Sequence, residues 1–172
     1  MRSDVAGSAI DIGKPPQNEV RRFTSTAHPT DQPLAVVFGQ AVLGPLAWIL
    51  LPIMLLSLVT ALERASIWGF VVLCFPLGLA AATALTMYKL QGQKAVLYVA
   101  GPVAAVGTVW DVARNIGPRW HPVLDVRVAQ DAVFATLSDT THEFNRSDWA
   151  DFPDLLASLV HARHSYVLEL PE

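Results

Sequence analysis

Two long uncharged runs constrain this chain more than any other feature. They cover residues 32–62 and 65–88, with only two charged residues between them. A helix of about 20 apolar residues, rising about 1.5 Å per residue, crosses a hydrocarbon core roughly 30 Å thick. Both runs reach that length. We therefore predict a transmembrane hairpin with helices at 34–62 and 67–89.

The charge content favours a membrane protein. Only 16% of the residues are charged and 52% are hydrophobic, whereas roughly 25% charged is usual in soluble domains. The net charge of −3 is too small to indicate a nucleic-acid partner. Cys74 is the single cysteine, so we expect neither an internal disulfide nor a cysteine zinc cluster.

Residues 1–33 are predicted to form a disordered cytoplasmic tail. Gly, Ser, Pro, Asn and Gln mix there with charged residues, and the apolar residues follow no helical or strand period. Such a segment cannot bury enough apolar surface to offset the entropy lost on ordering. Arg21 and Arg22 near its end serve either as an orientation signal or as a contact for anionic lipid.

Small and aromatic residues mark the surfaces of the predicted hairpin. Glycine and alanine allow helices to approach closely in a membrane, and aromatic or basic side chains are favoured at its interfaces. The candidate helix-packing residues are Gly39, Gly44, Gly78 and Ala82. The candidate membrane-interface residues are Arg21, Arg22, Trp68, Tyr88 and Lys89. The neutral polar residues inside the runs, Ser57, Thr60, Thr83 and Thr86 among them, are interpreted as polar contacts between helices.

Basic residues near the membrane predict the orientation. Lys and Arg lie on both outer flanks of the hairpin, while the connecting turn at 63–66 offers only Arg64 beside an acidic residue. Because positive flanks stay on the cytoplasmic side, we expect both termini in the cytoplasm and a multi-pass protein of the cell inner (plasma) membrane. Neither run contains an ionisable side chain in its interior, which argues against ion or proton conduction.

A third uncharged run at 95–110 allows three interpretations. It contains Gly101 and Pro102 in its middle and is short for a membrane span. It is either a strand at 95–100 followed by a helix from Pro102, or a segment lying in the membrane interface, or a third span. The first is the interpretation we favour.

The remainder predicts a small α+β cytoplasmic domain at 95–172, with three strands, one helix and one strand. Alternating apolar residues predict strands at 123–129, 132–137 and 142–146. An apolar stripe from Leu155 to Val160 follows a cluster of acidic capping residues and predicts a helix. Alternation at 165–170 predicts a closing strand.

The entry to that helix reads Ser147-Asp148-Trp149-Ala150-Asp151 and follows predicted strands. Together with the hairpin before it, the stretch 123–162 resembles bacterial two-span membrane proteins that carry a pleckstrin-homology-like soluble domain. The resemblance implies a compact strand-rich unit beside the membrane. It implies no particular functional residue.

Groups that carry chemistry are sparse. His161 and His164 have a helical spacing that can share a metal, but the sequence places no third ligand beside them. The chain contains no nucleophile elbow, phosphate loop or dinucleotide fingerprint. We therefore expect no catalytic residue, cofactor or metal, and predict that the protein is not an enzyme.

These observations lead to one hypothesis and two alternatives. The first is a non-enzymatic integral membrane protein that acts as an accessory, assembly or interaction subunit of a larger membrane complex. Its expected partners are membrane lipids and either another membrane protein or itself, with no nucleic acid. The alternatives are a lipid- or ligand-sensing module at the membrane surface and a phage-type membrane effector such as a holin or an exclusion protein.

Overall fold

The computed structural model describes residues 19–28, 30, 32–62 and 68–169. Expectations for most of the N-terminal tail, for the turn at 63–66 and for residue 170 lie outside the described residues. The chain divides into two compact units. The helical unit comprises residues 27–96 and 107–116, and the sheet unit comprises 97–106, the chain from 117 onward and the residues before 27.

The helical unit contains two long helices and one short one. Helix α1 is Leu34–Leu62, α2 is Trp68–Gly92 and α3 is Val109–Ala113. The prediction for α1 is confirmed at both ends, and α2 ends three residues later than predicted. Both long helices are long and apolar enough to span a membrane. Gly78 in the first half of α2 lies beside Ile53 in the second half of α1, which makes the pair antiparallel.

Local hydrogen bonds fix the start of α3. The Thr108 Oγ1 accepts from the Asp111 N–H at 3.1 Å, and the Thr108 N–H donates to Asp111 Oδ2 at 3.2 Å. This reciprocal capping box satisfies two backbone donors at the helix start. The Val109 N–H also donates to the carbonyl of Gln93 at 2.8 Å, so α3 is tied to the end of α2.

Six strands form one sheet in which each strand lies beside its neighbour in sequence. They are β1 Arg21–Thr24, β2 Lys94–Ala100, β3 Val103–Thr108, β4 His121–Val128, β5 Ala132–Leu137 and β6 Thr140–Asn145. The predicted strand count was therefore too low, although β5 has the predicted bounds. The prediction of a disordered tail is wrong for residues 21–24, which form β1 and pair with β2.

The run at 95–110 is a β-hairpin rather than a strand followed by a helix. Gly101 has φ of 56° and Pro102 fixes a negative φ, the combination that a two-residue type II′ turn requires. The prediction of a helix from Pro102 is thus wrong, and α3 begins only at Val109. A third span and an interfacial segment are also excluded, because these residues pair in the sheet and are mostly buried.

Helix α4, Phe152–Glu169, continues through the residues predicted as a closing strand. Leu155, Leu159 and Ala162 are fully buried, and half-buried Tyr166 extends the same stripe by one turn. The Ser165 Oγ donates to the carbonyl of His161, four residues back, at 3.0 Å. The period of 3.6 therefore overrides the apparent alternation at 165–170.

The core of the sheet unit lies between the sheet and α4. Phe144 on β6 is fully buried and meets Trp149 edge-to-face at 5.6 Å between ring centroids. The other buried members are Leu97, Val99, Ala104, Val123, Val126, Val133, Ala135, Leu137, Leu155, Leu159 and Ala162. Beyond β1, Ser25 forms an antiparallel bridge with Trp149, and the Thr26 N–H donates to the carbonyl of Asp148 at 2.8 Å. These bonds join the first strand to the segment that follows the last one.

Candidate functional site

The four candidate helix-packing residues divide into two pairs. A Cβ built on Gly78 would lie 3.0 Å from Ile49 Cγ2 and 3.0 Å from Ile53 Cδ1, so this glycine allows α1 and α2 to approach. Ala82, one turn later, is fully buried. A Cβ built on Gly39 or on Gly44 would meet nothing within 4 Å. These two glycines therefore lie on surface that the described chain leaves open.

One face of α1 carries an apolar groove of about 730 Å³. Ala47 is the smallest residue in it, between larger leucine and methionine side chains that recur at helical spacing. The lining residues are Leu43, Leu46, Ala47, Leu50, Leu51, Met54, Leu55 and Leu58. Grooves of this kind, with a small residue among larger ones, accept the side-chain ridge of another helix.

The predicted interface residues are found in two different places. Trp68, at the start of α2, is 78% exposed, and Tyr88, near its end, is 80% exposed. Lys89 beside it is also exposed. Arg21 and Arg22 belong instead to β1 of the sheet, so they are not part of a disordered segment that leads into the first helix.

The hydroxyl groups in the long helices bond within their own helix. Ser57 Oγ donates to the carbonyl of Ile53 at 2.7 Å, and Thr86 Oγ1 donates to the carbonyl of Ala82 at 2.7 Å. Thr60 and Thr83 make the same contact with the carbonyl four residues before them. The prediction that these hydroxyls form polar contacts between helices is wrong, because each already has a local acceptor.

A cavity of about 620 Å³ lies within the sheet unit. The buried side chains of Val99 and Ser158 form its floor, and exposed residues form its rim. The complete lining is Glu19, Arg21, Val99, Gly101, Ala157, Ser158 and His161. It thus brings together β1, the turn between β2 and β3, and one face of α4.

Ser158 gives this cavity an unsatisfied polar group. The residue is only 7% exposed, and its Oγ has no hydrogen-bond partner among the described residues. A buried hydroxyl without a partner costs about 1–3 kcal/mol relative to one that is hydrogen-bonded. The other hydroxyls described on the helices bond a carbonyl of their own helix, so Ser158 departs from the pattern of this chain.

Strand alternation directs Arg21 toward the cavity. Phe23 packs against the core, so Arg21, two residues earlier on β1, faces the same side of the strand and Arg22 faces the other. His161 follows Ser158 by three residues and shares its face of α4. Neither Glu19 nor Arg21 forms an ion pair within the described residues.

Sequence reasoning did not find this cavity. It placed Arg21 in a disordered tail and assigned no role to Glu19 or Ser158. The one available signal was Phe23, an apolar residue in a polar stretch whose neighbours could form a short strand. A single apolar residue does not distinguish a strand from a loop.

A separate charged cluster attaches α4 to β4. Arg127 Nε lies 2.8 Å from Asp125 Oδ2, and Arg163 Nη2 lies 3.5 Å from Asp125 Oδ1. The hydrogen bond from Arg127 lowers the pKa of the Asp125 carboxyl below its usual 3.8, and the charges of both arginines act in the same direction. Because the cluster is exposed, its contribution to stability is small.

No group of three His, Cys, Asp or Glu side chains lies close enough to hold a metal ion in the part of the chain that the structure describes. His161 and His164 line an exposed groove along α4 with Arg163 and several apolar residues. Cys74 in α2 is a free thiol that is partly exposed.

Comparisons with protein-family models, with curated protein sequences and with solved structures found no match to this chain. The proposals below therefore rest on the chain's own residues and their geometry.

Proposed function

We propose that this chain is a two-span integral membrane protein that acts as a non-enzymatic accessory subunit. Its helical hairpin anchors a small sheet domain at one membrane surface and binds a transmembrane helix of another membrane protein. The groove on α1 is the observation that carries this function. The bilayer attachment is argued first, and the partner afterwards.

The surface of the hairpin supports a bilayer environment. Along α1, Leu43 is 63% exposed, Trp48 is 84% exposed and Met54 is 70% exposed. Large apolar side chains at this density are unfavourable in water and favourable against lipid tails. The hydroxyl groups of both helices are satisfied by their own backbone, as a hydrocarbon environment requires.

The strand order supports an even number of crossings. Strand β1 precedes the hairpin in sequence and β2 follows it, yet the two strands are neighbours in one sheet. Strands of one sheet must lie on the same side of a membrane, because an unpaired strand edge cannot exist in hydrocarbon. Two spans between β1 and β2 meet that condition, and three do not.

The basic residues assign that side to the cytoplasm. Arg21 and Arg22 precede the hairpin, and Lys89 and Lys94 follow it, while the connecting segment offers Arg64 beside Glu63. The excess of positive charge on the outer flanks places the sheet domain in the cytoplasm and the connection outside. A cell inner membrane is the corresponding location.

The groove on α1 supports binding of another transmembrane helix. It is entirely apolar, it follows one face of the helix, and Ala47 opens space between larger neighbours. Gly44 beside it also leaves open surface. Association of helices in lipid depends on close packing at such positions, since lipid tails are as apolar as leucine.

Affinity purification of the full chain from native membranes in mild detergent tests this function. We expect a second membrane protein, or a second copy, at constant stoichiometry. Ala47→Trp fills the groove and should reduce recovery of that partner by about fivefold or more. Ala81→Trp is the matched control, because Ala81 is exposed on α2 and does not line the groove.

A monomeric wild-type chain with no stoichiometric companion would contradict the accessory function. Equal recovery with both tryptophan variants would contradict the groove as the binding surface. The mass of the purified complex separates a second copy of this chain from a different partner.

A further inference from the structure

The cavity of the sheet unit has features that the accessory function does not use. Ser158 presents a buried hydroxyl without a partner at its floor, and Arg21 presents a guanidinium without an ion pair at its rim. His161 adds an imidazole from the same face of α4 as Ser158. These hydrogen-bonding groups come from β1 and α4, which are far apart in sequence, and all line one space.

We propose that this cavity binds a small monocarboxylate. The planar guanidinium of Arg21 pairs with both oxygens of a carboxylate, the geometry that arginine favours. Ser158 Oγ donates a third hydrogen bond to it, which satisfies the hydroxyl that is otherwise unpartnered. The hydrocarbon part of the ligand packs against Val99 and Ala157.

The charge of the lining selects a monoanion. Arg21 contributes one positive charge and Glu19 one negative charge, and both line the cavity. A phosphate monoester carries up to two negative charges and would meet only one permanent cation beside a carboxylate. A carboxylate has one charge, which Arg21 alone balances. The volume of about 620 Å³ lies in the range of pockets for small organic ligands.

Two sources can supply the same carboxylate group. One is a water-soluble short-chain acid, and the other is a fatty acid that leaves the bilayer. Both would place the carboxylate on Arg21 and Ser158. They differ in whether the chain length and the presence of a bilayer change the affinity.

The test uses the full chain in lipid nanodiscs, with hexanoate, 1-hexanol and hexyl phosphate as probes. Hexanoate should bind in calorimetry and raise the thermal midpoint of the sheet domain in a concentration-dependent manner, because a ligand of the folded state stabilises it. Hexanol should have no such effect, and hexyl phosphate should bind about tenfold more weakly than hexanoate. Oleate supplied in the nanodisc should compete with hexanoate only if the natural source is the bilayer.

Three variants locate the site. Arg21→Gln should weaken hexanoate binding by about tenfold or more. Ser158→Ala should weaken it by a smaller factor while raising the thermal midpoint without ligand, which a purely structural serine would not do. Arg22→Gln is the matched control, because Arg22 is the neighbouring arginine on the opposite side of β1, and it should bind as the wild type does.

Tighter binding of hexyl phosphate than of hexanoate would overturn the carboxylate assignment. Equal losses in Arg21→Gln and Arg22→Gln, or no binding of any probe, would overturn the site. Circular dichroism confirms that each variant is folded, and Ser158→Ala keeps the test decisive if Arg21→Gln does not fold. The proposed accessory function fails separately, since recovery of a membrane partner is measured without hexanoate and depends on Ala47.

Discussion

At the scale of single residues, Ser158 shows the strongest conflict between folding and side-chain chemistry. Its hydroxyl is buried beside the hydrophobic core and has no partner within the described residues. Folding therefore removes water from this oxygen without replacing the lost hydrogen bond. Such a cost persists in a protein when the group has a use that the isolated fold does not reveal.

Replacing this serine should stabilise the protein in the absence of ligand. Ser158→Ala removes the unsatisfied hydroxyl and keeps the small side chain, so the free energy of unfolding should rise by about 1 kcal/mol. The measurement is denaturant or thermal unfolding of the purified protein. Ser165→Ala is the control, because Ser165 bonds the carbonyl of His161 and is less buried.

A change within about 0.5 kcal/mol is expected for that control. A loss of stability in Ser158→Ala would mean that its hydroxyl has a favourable partner in the folded protein, and it would remove one of the two supports for the carboxylate site.

At the scale of elements, the hairpin depends on one close approach between its helices. A larger side chain at Gly78 would overlap Ile49 and Ile53, so Gly78→Leu should destabilise the helix pair by about 1–3 kcal/mol. Gly39→Leu is the matched control, because a Cβ there meets nothing within 4 Å. Helical circular dichroism during heating in detergent measures both. Equal thermal midpoints would show that α1 and α2 do not pack through Gly78.

The attachment of α4 to β4 should depend on pH. Because the pKa of Asp125 is lowered in the folded protein, its contribution to stability is complete above about pH 4 and is lost as the pH falls further, through the lowered value. Asp125→Asn should therefore lower the thermal midpoint at neutral pH by a few degrees at most, since exposed pairs contribute little. The difference from the wild type should shrink below pH 3.8.

Arg163→Gln is the companion variant, because it removes the contact with α4 and keeps the bond between Asp125 and Arg127. A midpoint difference between Asp125→Asn and the wild type that stays constant down to pH 2 would contradict the assigned cause.

The elements that could be predicted are those whose signal is local. The long helices were predictable because a membrane-length apolar run needs no tertiary context, and β5 was predictable from its sequence pattern. Strand β3 was not, since Val103–Thr108 is apolar on both faces and has no alternation. Strand β1 was hidden because it contains one apolar residue, Phe23, and obtains its partners from residues far along the chain.

At the scale of the whole molecule, the chain combines a membrane anchor with a domain that the anchor interrupts. The hairpin lies between β1 and β2, so the sheet cannot be completed until both helices have been synthesised. The cavity likewise needs Arg21 from before the hairpin and Ser158 from near the end. No sequence window contains both, which is why the site could not be predicted from the sequence.

The central claim is that the chain crosses the membrane twice and returns to the side from which it started. Single cysteines test it most directly, introduced as Arg22→Cys, Asp131→Cys and Ala65→Cys in a Cys74→Ala background. A membrane-impermeant maleimide is then applied to sealed right-side-out vesicles. We predict that position 65 reacts from outside, and that positions 22 and 131 react only after the vesicles are opened. Reaction of positions 22 and 131 from opposite sides, or release of the chain from the membrane by alkaline carbonate, would contradict the account.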